Sequence, residues 1–153
     1  MNVLEICTRE VVTCSRHASA LEMAQLMRQY HVGDLIVVDG TDGKSVPVGI
    51  VTDRDLVVQV MAKGVSPEML SAADVMSDEL RTVLESEAVY DAIWHMRSQG
   101  IRRLPVVDAR GSLLGVVTAD DVTGYLAAEL TEVSRISPRQ IELEEDALTP
   151  IPM

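Results

Sequence analysis

Phenylalanine is absent from this chain, and one tryptophan and three tyrosines are its only large aromatic residues. A core drawn from 153 residues therefore has to be aliphatic, built from valine, leucine, isoleucine and the eight methionines. Cysteine is almost as scarce, with only Cys7 and Cys14. Two thiols exclude a disulfide-dense secreted scaffold, and their spacing is neither a CxxC redox pair nor half of a zinc site. Positive charge is in deficit: 13 lysines and arginines face 24 aspartates and glutamates, a net −11. That balance argues against a nucleic-acid binder, which needs a basic face for phosphates, and against an anionic membrane surface. No apolar run approaches the roughly 18 residues that a membrane span requires. The start MNVLEICTRE lacks the basic beginning and apolar stretch of a signal peptide, so a soluble, cytoplasmic protein is expected. No phosphate loop, hydrolase elbow or dinucleotide fingerprint is present, and His17, His31 and His95 are too dispersed for a metal site. No metal, no catalytic cofactor and no enzymatic activity are expected.

The chain does contain a copy of itself. IVVD at 36–39 returns as PVVD at 105–108, and GIVTDRD at 49–55 returns as GVVTADD at 115–121. The register is 69 residues from Leu4 to Asp39 and 66 after the first copy's longer turn. Self-similarity of this kind means two copies of one supersecondary unit. The reading is repeat one over 1–64, a linker and lead-in strand over 65–78, repeat two over 79–131, and an acidic, proline-containing tail over 132–153.

Each copy opens on an extended piece, at 10–14 and at 79–84. A helix follows. Val89, Ala92, Ile93 and Met96 fall at i, i+3, i+4 and i+7, as do Ala20, Met23, Ala24 and Met27, each marking one buried helical face. Ser19 with Glu22 predicts a capping box at the start of the first helix. Two apolar strands come next, at 35–38 and 46–51 and again at 104–107 and 113–117, around turns rich in glycine and aspartate. A closing helix is predicted over 54–63, ending at Gly64, and over 120–132. The unit is β-α-β-β-α, and two units packed together bury what one leaves exposed. Met23, Met27, Met61 and Met96 read as core filler. Trp94 reads as partly buried at a helix–helix contact, within or between subunits. The tail, with Pro138, Pro150, Pro152, Glu142, Glu144, Glu145 and Asp146, is either disordered or an extension that packs on a partner.

The repeated motif places a threonine at a strand end (Thr52, Thr118) and an aspartate three residues on (Asp55, Asp121). A strand end leading into a helix presents N–H donors and a positive dipole end. A threonine hydroxyl there can donate to a phosphate or ribose oxygen, and the aspartate can accept from vicinal hydroxyls. The alternative is purely structural: threonine caps the helix and aspartate complements its dipole.

With G-h-x-T-x-x-D present twice and h-P-V-V-D once, the chain resembles a tandem pair of cystathionine-β-synthase (CBS) domains, the Bateman module. Ile36 stands where the first copy would carry the proline. The resemblance spans about residues 3–130 and implies an α+β fold of two packed repeats with pseudo-twofold symmetry. It implies two clefts between the repeats that bind adenosine compounds: AMP, ADP, ATP, S-adenosylmethionine or NAD(H). Cleft one would hold Thr52 and Asp55 with Leu80, Arg81, Thr82, Arg102 and Arg103. Cleft two would hold Thr118 and Asp121 with Val11, Val12, Thr13, Gly33 and Asp34. Arg54 is a further phosphate candidate. The resemblance also implies a homodimer through helices and signalling to a separate effector protein. Arginines in cleft one suit phosphate, whereas Asp34 would repel it. Cleft one is thus expected to take phosphorylated nucleotides, and cleft two a less anionic ligand or none. The competing reading is a dimeric stress or scaffold protein with vestigial, ligand-free clefts.

Overall fold

The computed structural model describes residues 1–40, 43–77 and 79–148. Thr41 and Asp42 of the first expected turn, and Pro150 and Pro152 of the tail, lie outside the described residues. The first repeat comprises β1 (Thr13–Ser15), α2 (Ala20–Tyr30), β2 (Asp34–Asp39), β3 (Val46–Thr52) and α3 (Asp53–Leu56), preceded by a short helix α1 (Val3–Ile6). The second repeat comprises α4 (Ala72–Val75), β4 (Val83–Leu84), α5 (Val89–Gln99), β5 (Arg103–Val107), β6 (Leu113–Thr118) and α6 (Ala119–Ser134), followed by α7 (Ile136–Leu148). Each repeat forms its own three-stranded sheet, in the orders β1-β2-β3 and β4-β5-β6. The first pair of each sheet is parallel and the second antiparallel. Both sheets shift register at the same repeat position, Val37/Val38 and Val106/Val107.

The local signals act as their chemistry requires. Ser19 accepts the Glu22 N–H at 3.1 Å, and the Glu22 carboxylate accepts the Ser19 N–H at 2.7 Å, closing the capping box. Met23, Met27, Val89, Ala92 and Met96 are buried along the inner faces of α2 and α5. Ala24 is the exception, exposed on the first helix.

Three expectations are corrected. The lead-in of the second copy is not a strand but the helical turn α4, as α1 is in the first. Asn2 with Glu5 and Ser71 with Asp74 are capping pairs that start helices. The helix expected over 54–63 is one α turn that continues over Val57–Met61 as a π segment. There the Ala62 N–H reaches the Val57 carbonyl five residues back, at 2.8 Å. Met61 is not core filler: it is 75% exposed. The tail is helical to Leu148. Pro138 sits in the first turn of α7, where a missing N–H costs nothing. Arg139 to Glu142 (2.6 Å) and Gln140 to Glu144 (2.9 Å) link its later turns.

The lead-in helices are exchanged between the repeats. Val3 of α1 is fully buried in the core of the second repeat, with Val83, Val89, Leu104 and Val117. Ala72 and Val75 of α4 are buried in the core of the first, with Met23, Leu35, Val37 and Val51. Backbone bonds hold the exchange: Thr8 and Val116 trade N–H donors at 2.9 Å each, and Ala72 donates to Ala18 at 2.8 Å. The crossing explains the motif glycines. A methyl group on Gly115 would stand 2.6 Å from the Thr8 carbonyl oxygen and 2.8 Å from Cys7 Sγ. On Gly49 it would collide with the Met76 side chain, which can turn aside. Gly115→Ala should therefore lower stability by about 2–3 kcal/mol and Gly49→Ala by about 1 kcal/mol in urea denaturation. Equal, small losses at both positions would contradict this account of the exchange.

Candidate functional site

The exchange carries the chain leaving α4 past the end of β3, so the segment after it lines the cleft beside Thr52. Cleft one is a cavity of about 280 Å³, near the lower end of ligand sites, roughly 300–1,000 Å³. It brings together Thr52, Asp55, Leu80, Arg81, Arg102 and Arg103, with Ile50, Ser77, Glu79 and Ile101. Thr82 and Arg54 do not line it. Cleft two measures about 160 Å³ and gathers Thr118, Val11, Val12 and Asp34, with Thr8, Glu10, Val32 and Val116. Asp121, Thr13 and Gly33 do not line it.

The residues not anticipated follow the same repeat register as those that were. Thr8 and Ser77 are 69 positions apart, as are Glu10 and Glu79, and Val32 and Ile101. Cleft two thus reuses the lining of cleft one without the equivalents of Asp55 and Arg102. Thr8, Glu10, Ser77 and Glu79 lie just before the residues expected at 11–13 and 80–82, and Val32 and Ile101 directly precede the pairs Gly33, Asp34 and Arg102, Arg103.

Thr52 and Asp55 cap each other at the start of α3. The Thr52 N–H donates to Asp55 Oδ2 at 2.8 Å, and the Asp55 N–H donates to Thr52 Oγ1 at 3.1 Å. Thr118 and Asp121 repeat this at 2.8 and 3.1 Å, and the Thr118 hydroxyl also donates to Asp121 Oδ2 at 2.7 Å. The structural role is therefore real in both copies. In copy one it uses a single carboxylate oxygen. Among the described residues, Asp55 Oδ1 and the Thr52 hydroxyl proton remain uncommitted beside the cavity.

Charge separates the clefts. Cleft one holds Arg81, Arg102 and Arg103 against Asp55 and Glu79. Cleft two holds Glu10 and Asp34 with no cation. Asp34 and Arg103 occupy equivalent repeat positions and meet across the repeat boundary, with Arg103 Nε 3.2 Å from Asp34 Oδ1. Arg102 pairs with Asp120 at 3.2 Å, but those side chains are 72% and 89% exposed. Such a pair is worth little and yields readily to a better anion. Near cleft two, burial pushes the Cys7 thiol up, Arg9 pulls it partly back, and Asp121 adds to the rise. Burial alone pushes the Cys14 thiol up to about 11. Among the described residues, no cluster of three or more His, Cys, Asp or Glu side chains could hold a metal ion.

The CBS-domain family model matches residues 3–62 and 72–128. The chain belongs to the CBS-domain family. CBS domains of this kind are regulatory and not catalytic. An uncharacterized protein of Methanopyrus kandleri is 40% identical over 135 residues, covering 86% of this chain and 67% of the relative. Among solved structures, a CBS-domain protein of Pyrobaculum aerophilum complexed with AMP matches with a TM-score of 0.70. It is 26% identical and covers 79% of this chain and 89% of its own. A CBS domain pair complexed with 5′-methylthioadenosine and S-adenosyl-L-methionine matches with a TM-score of 0.71 and 25% identity. That match covers 84% of this chain and 98% of its own. No helix among the described residues is long and apolar enough to cross a membrane.

Two outcomes follow for the CBS module's chemistry. Asp55→Ala removes a capping acceptor and should cost about 1 kcal/mol of stability, whereas Asp55→Asn keeps an acceptor and most of that stability. Thermal melting of both variants decides it, and identical losses would deny the cap. Cys14, protonated and 8% exposed, should resist maleimide labelling at pH 8 in the native protein and react on unfolding. Rapid native labelling of Cys14 would contradict its burial.

Proposed function

We propose that this chain is a non-enzymatic sensor whose cleft one takes a phosphorylated adenosine nucleotide, AMP, ADP or ATP. The single observation that carries the reading is the convergence of an uncommitted Asp55 oxygen with three arginines in one cavity. Asp55 accepts from ribose hydroxyls, and Thr52 donates its hydroxyl proton to the nucleotide. Ile50, Leu80 and Ile101 supply apolar walls for the base. Arg81, Arg102 and Arg103 meet the phosphate, the last two by leaving Asp120 and Asp34. Support comes also from the AMP held by the Pyrobaculum relative.

Cleft two, with Glu10 and Asp34, takes a less anionic ligand or stays empty. The S-adenosylmethionine bound by another CBS pair is a compound of that charge class, and NAD(H) is a further adenosine ligand to test. When phosphate engages Arg103, Asp34 loses its partner and cleft two becomes more negative, so phosphate in one cleft disfavours phosphate in the other. The protein acts in the cytoplasm as a homodimer that reports ligand state to a separate effector protein. A sensor works only if ligand favours one conformation over another, and here the angle between the repeats is what changes.

A second reading is a dimeric scaffold with ligand-free clefts. It is favoured by the capping role that already employs both threonines and both aspartates. Calorimetric titration of nucleotide-stripped protein with AMP, ADP, ATP, S-adenosylmethionine and NADH decides between them. Asp55→Ala should weaken phosphorylated nucleotides by roughly 10-fold or more, the worth of a charged hydrogen bond. Asp121→Ala should leave them within about two-fold, since Asp121 is not among the residues that line cleft one. Equal losses from both variants would sink the division of the clefts, and folded protein that binds nothing in the panel would favour the scaffold.

A further inference from the structure

Unpartnered apolar surface is unevenly shared between the repeats. A groove of about 610 Å³ lies along α2 and α3, walled by Ala20, Ala24, Met27, Val57 and Met61. The equivalent groove between α5 and α6 measures about 320 Å³. The repeat register gives the reason: Ala20 and Ala24 stand where the second repeat has Val89 and Ile93. Where the first repeat is hollow, the second projects. Tyr90 and Trp94, one turn apart on α5, are 72% and 48% exposed. Exposed tyrosine and tryptophan beside one another are the residue types that anchor protein interfaces.

Charge follows the same division. Asp53 is the one charged residue lining the first-repeat groove, and Arg97 the one lining the second. Arg28, the register equivalent of Arg97, does not line its own groove. Among the described residues, neither Asp53 nor Arg97 has an ion-pair partner.

We propose that two copies of this chain associate head to tail, the Tyr90–Trp94 projection of each seated in the Ala20–Ala24 hollow of the other. Asp53 of each copy then faces Arg97 of the other, and the twofold axis makes every contact twice. The opposite, head-to-head arrangement sets hollow against hollow and Asp53 against Asp53, which leaves space unfilled and like charges opposed. This inference rests on the reading that the chain pairs with itself and specifies the orientation of that pair.

Sedimentation velocity and tryptophan emission test it on the full chain, with Trp94→Ala, Asp53→Arg, Arg97→Asp and the double reversal. Trp94 is the single tryptophan, so its emission reports the interface directly and should move to shorter wavelength as the dimer forms. Trp94→Ala should weaken association by roughly 30-fold, the effect of a hot-spot residue. Each single charge reversal should weaken it by about ten-fold, and the double reversal should recover most of that loss. Ala24→Gln, on an exposed helix position, fills the hollow without touching the core and should weaken association too, whatever the other variants do to folding. Circular dichroism separates weak association from unfolding. A monomer at high micromolar concentration overturns both the pairing and its orientation. A dimer indifferent to Trp94→Ala, Ala24→Gln and the reversals, or one that the double reversal fails to restore, overturns the orientation alone.

Discussion

Val3 is buried in the core of one repeat and heads the sequence of the other, while Ala72 and Val75 make the same exchange in reverse. Neither core is complete without a helix from outside its own copy. Removing a valine side chain such as Val3 or Val75 from water is worth about 1.5–3 kcal/mol, so the exchange ties the stability of the two halves together. It also dictates local details that look unrelated. The strand crossed at Thr8 has no room for a side chain at Gly115, while Gly49 at the equivalent crossing faces only the Met76 side chain; both glycines lie opposite the register shifts of β2 and β5. The chain leaving each crossing runs along the strand end that carries the threonine, and so becomes a wall of the cleft.

The motif threonine and aspartate meet two demands at once. Each helix after β3 and β6 needs its first N–H groups satisfied, and Thr52–Asp55 and Thr118–Asp121 do that reciprocally. A carboxylate has two oxygens and the cap occupies one. In copy one the same pair therefore starts a helix and, among the described residues, leaves Asp55 Oδ1 free beside the cleft, whereas Asp121 stands outside cleft two. What distinguishes the clefts is the charge brought by the opposite repeat. Duplication preserved the walls and let the charges diverge: Asp34 opposite Arg103, Val12 opposite Arg81, Gly33 opposite Arg102. The Asp34–Arg103 contact joins the two clefts at the boundary between the repeats.

Much of this was legible in the residues. Short apolar runs between glycine- and aspartate-rich turns located the strands of both sheets, and the 3.6-residue period located α2 and α5, because one face of each of those helices is turned to a core. Thr52, Asp55, Leu80, Arg81, Arg102 and Arg103, the residues that the resemblance groups in cleft one, line one cavity. The lead-in pieces were misread as strand because four residues are too few for a helical period to appear; only the Asn2–Glu5 and Ser71–Asp74 capping pairs announced them. The helicity of the tail was hidden behind its prolines, although Pro138 falls in a first turn where proline is tolerated. Ser77, Glu79, Thr8 and Glu10 escaped notice because they belong to irregular chain, which has no periodicity to read.

The order of the residues alone settles that there are two copies of one unit, where their strands and main helices run, and that charge differs between the copies. These are local or periodic properties, and each is written in the order of neighbouring side chains. Only the tertiary structure decided that the lead-in helices change places, that Arg103 reaches Asp34, and that Asp121 stands back from its cleft while Asp55 lines its own. These depend on distances between residues tens of positions apart, and such distances are set by how the two cores pack together rather than by any one segment.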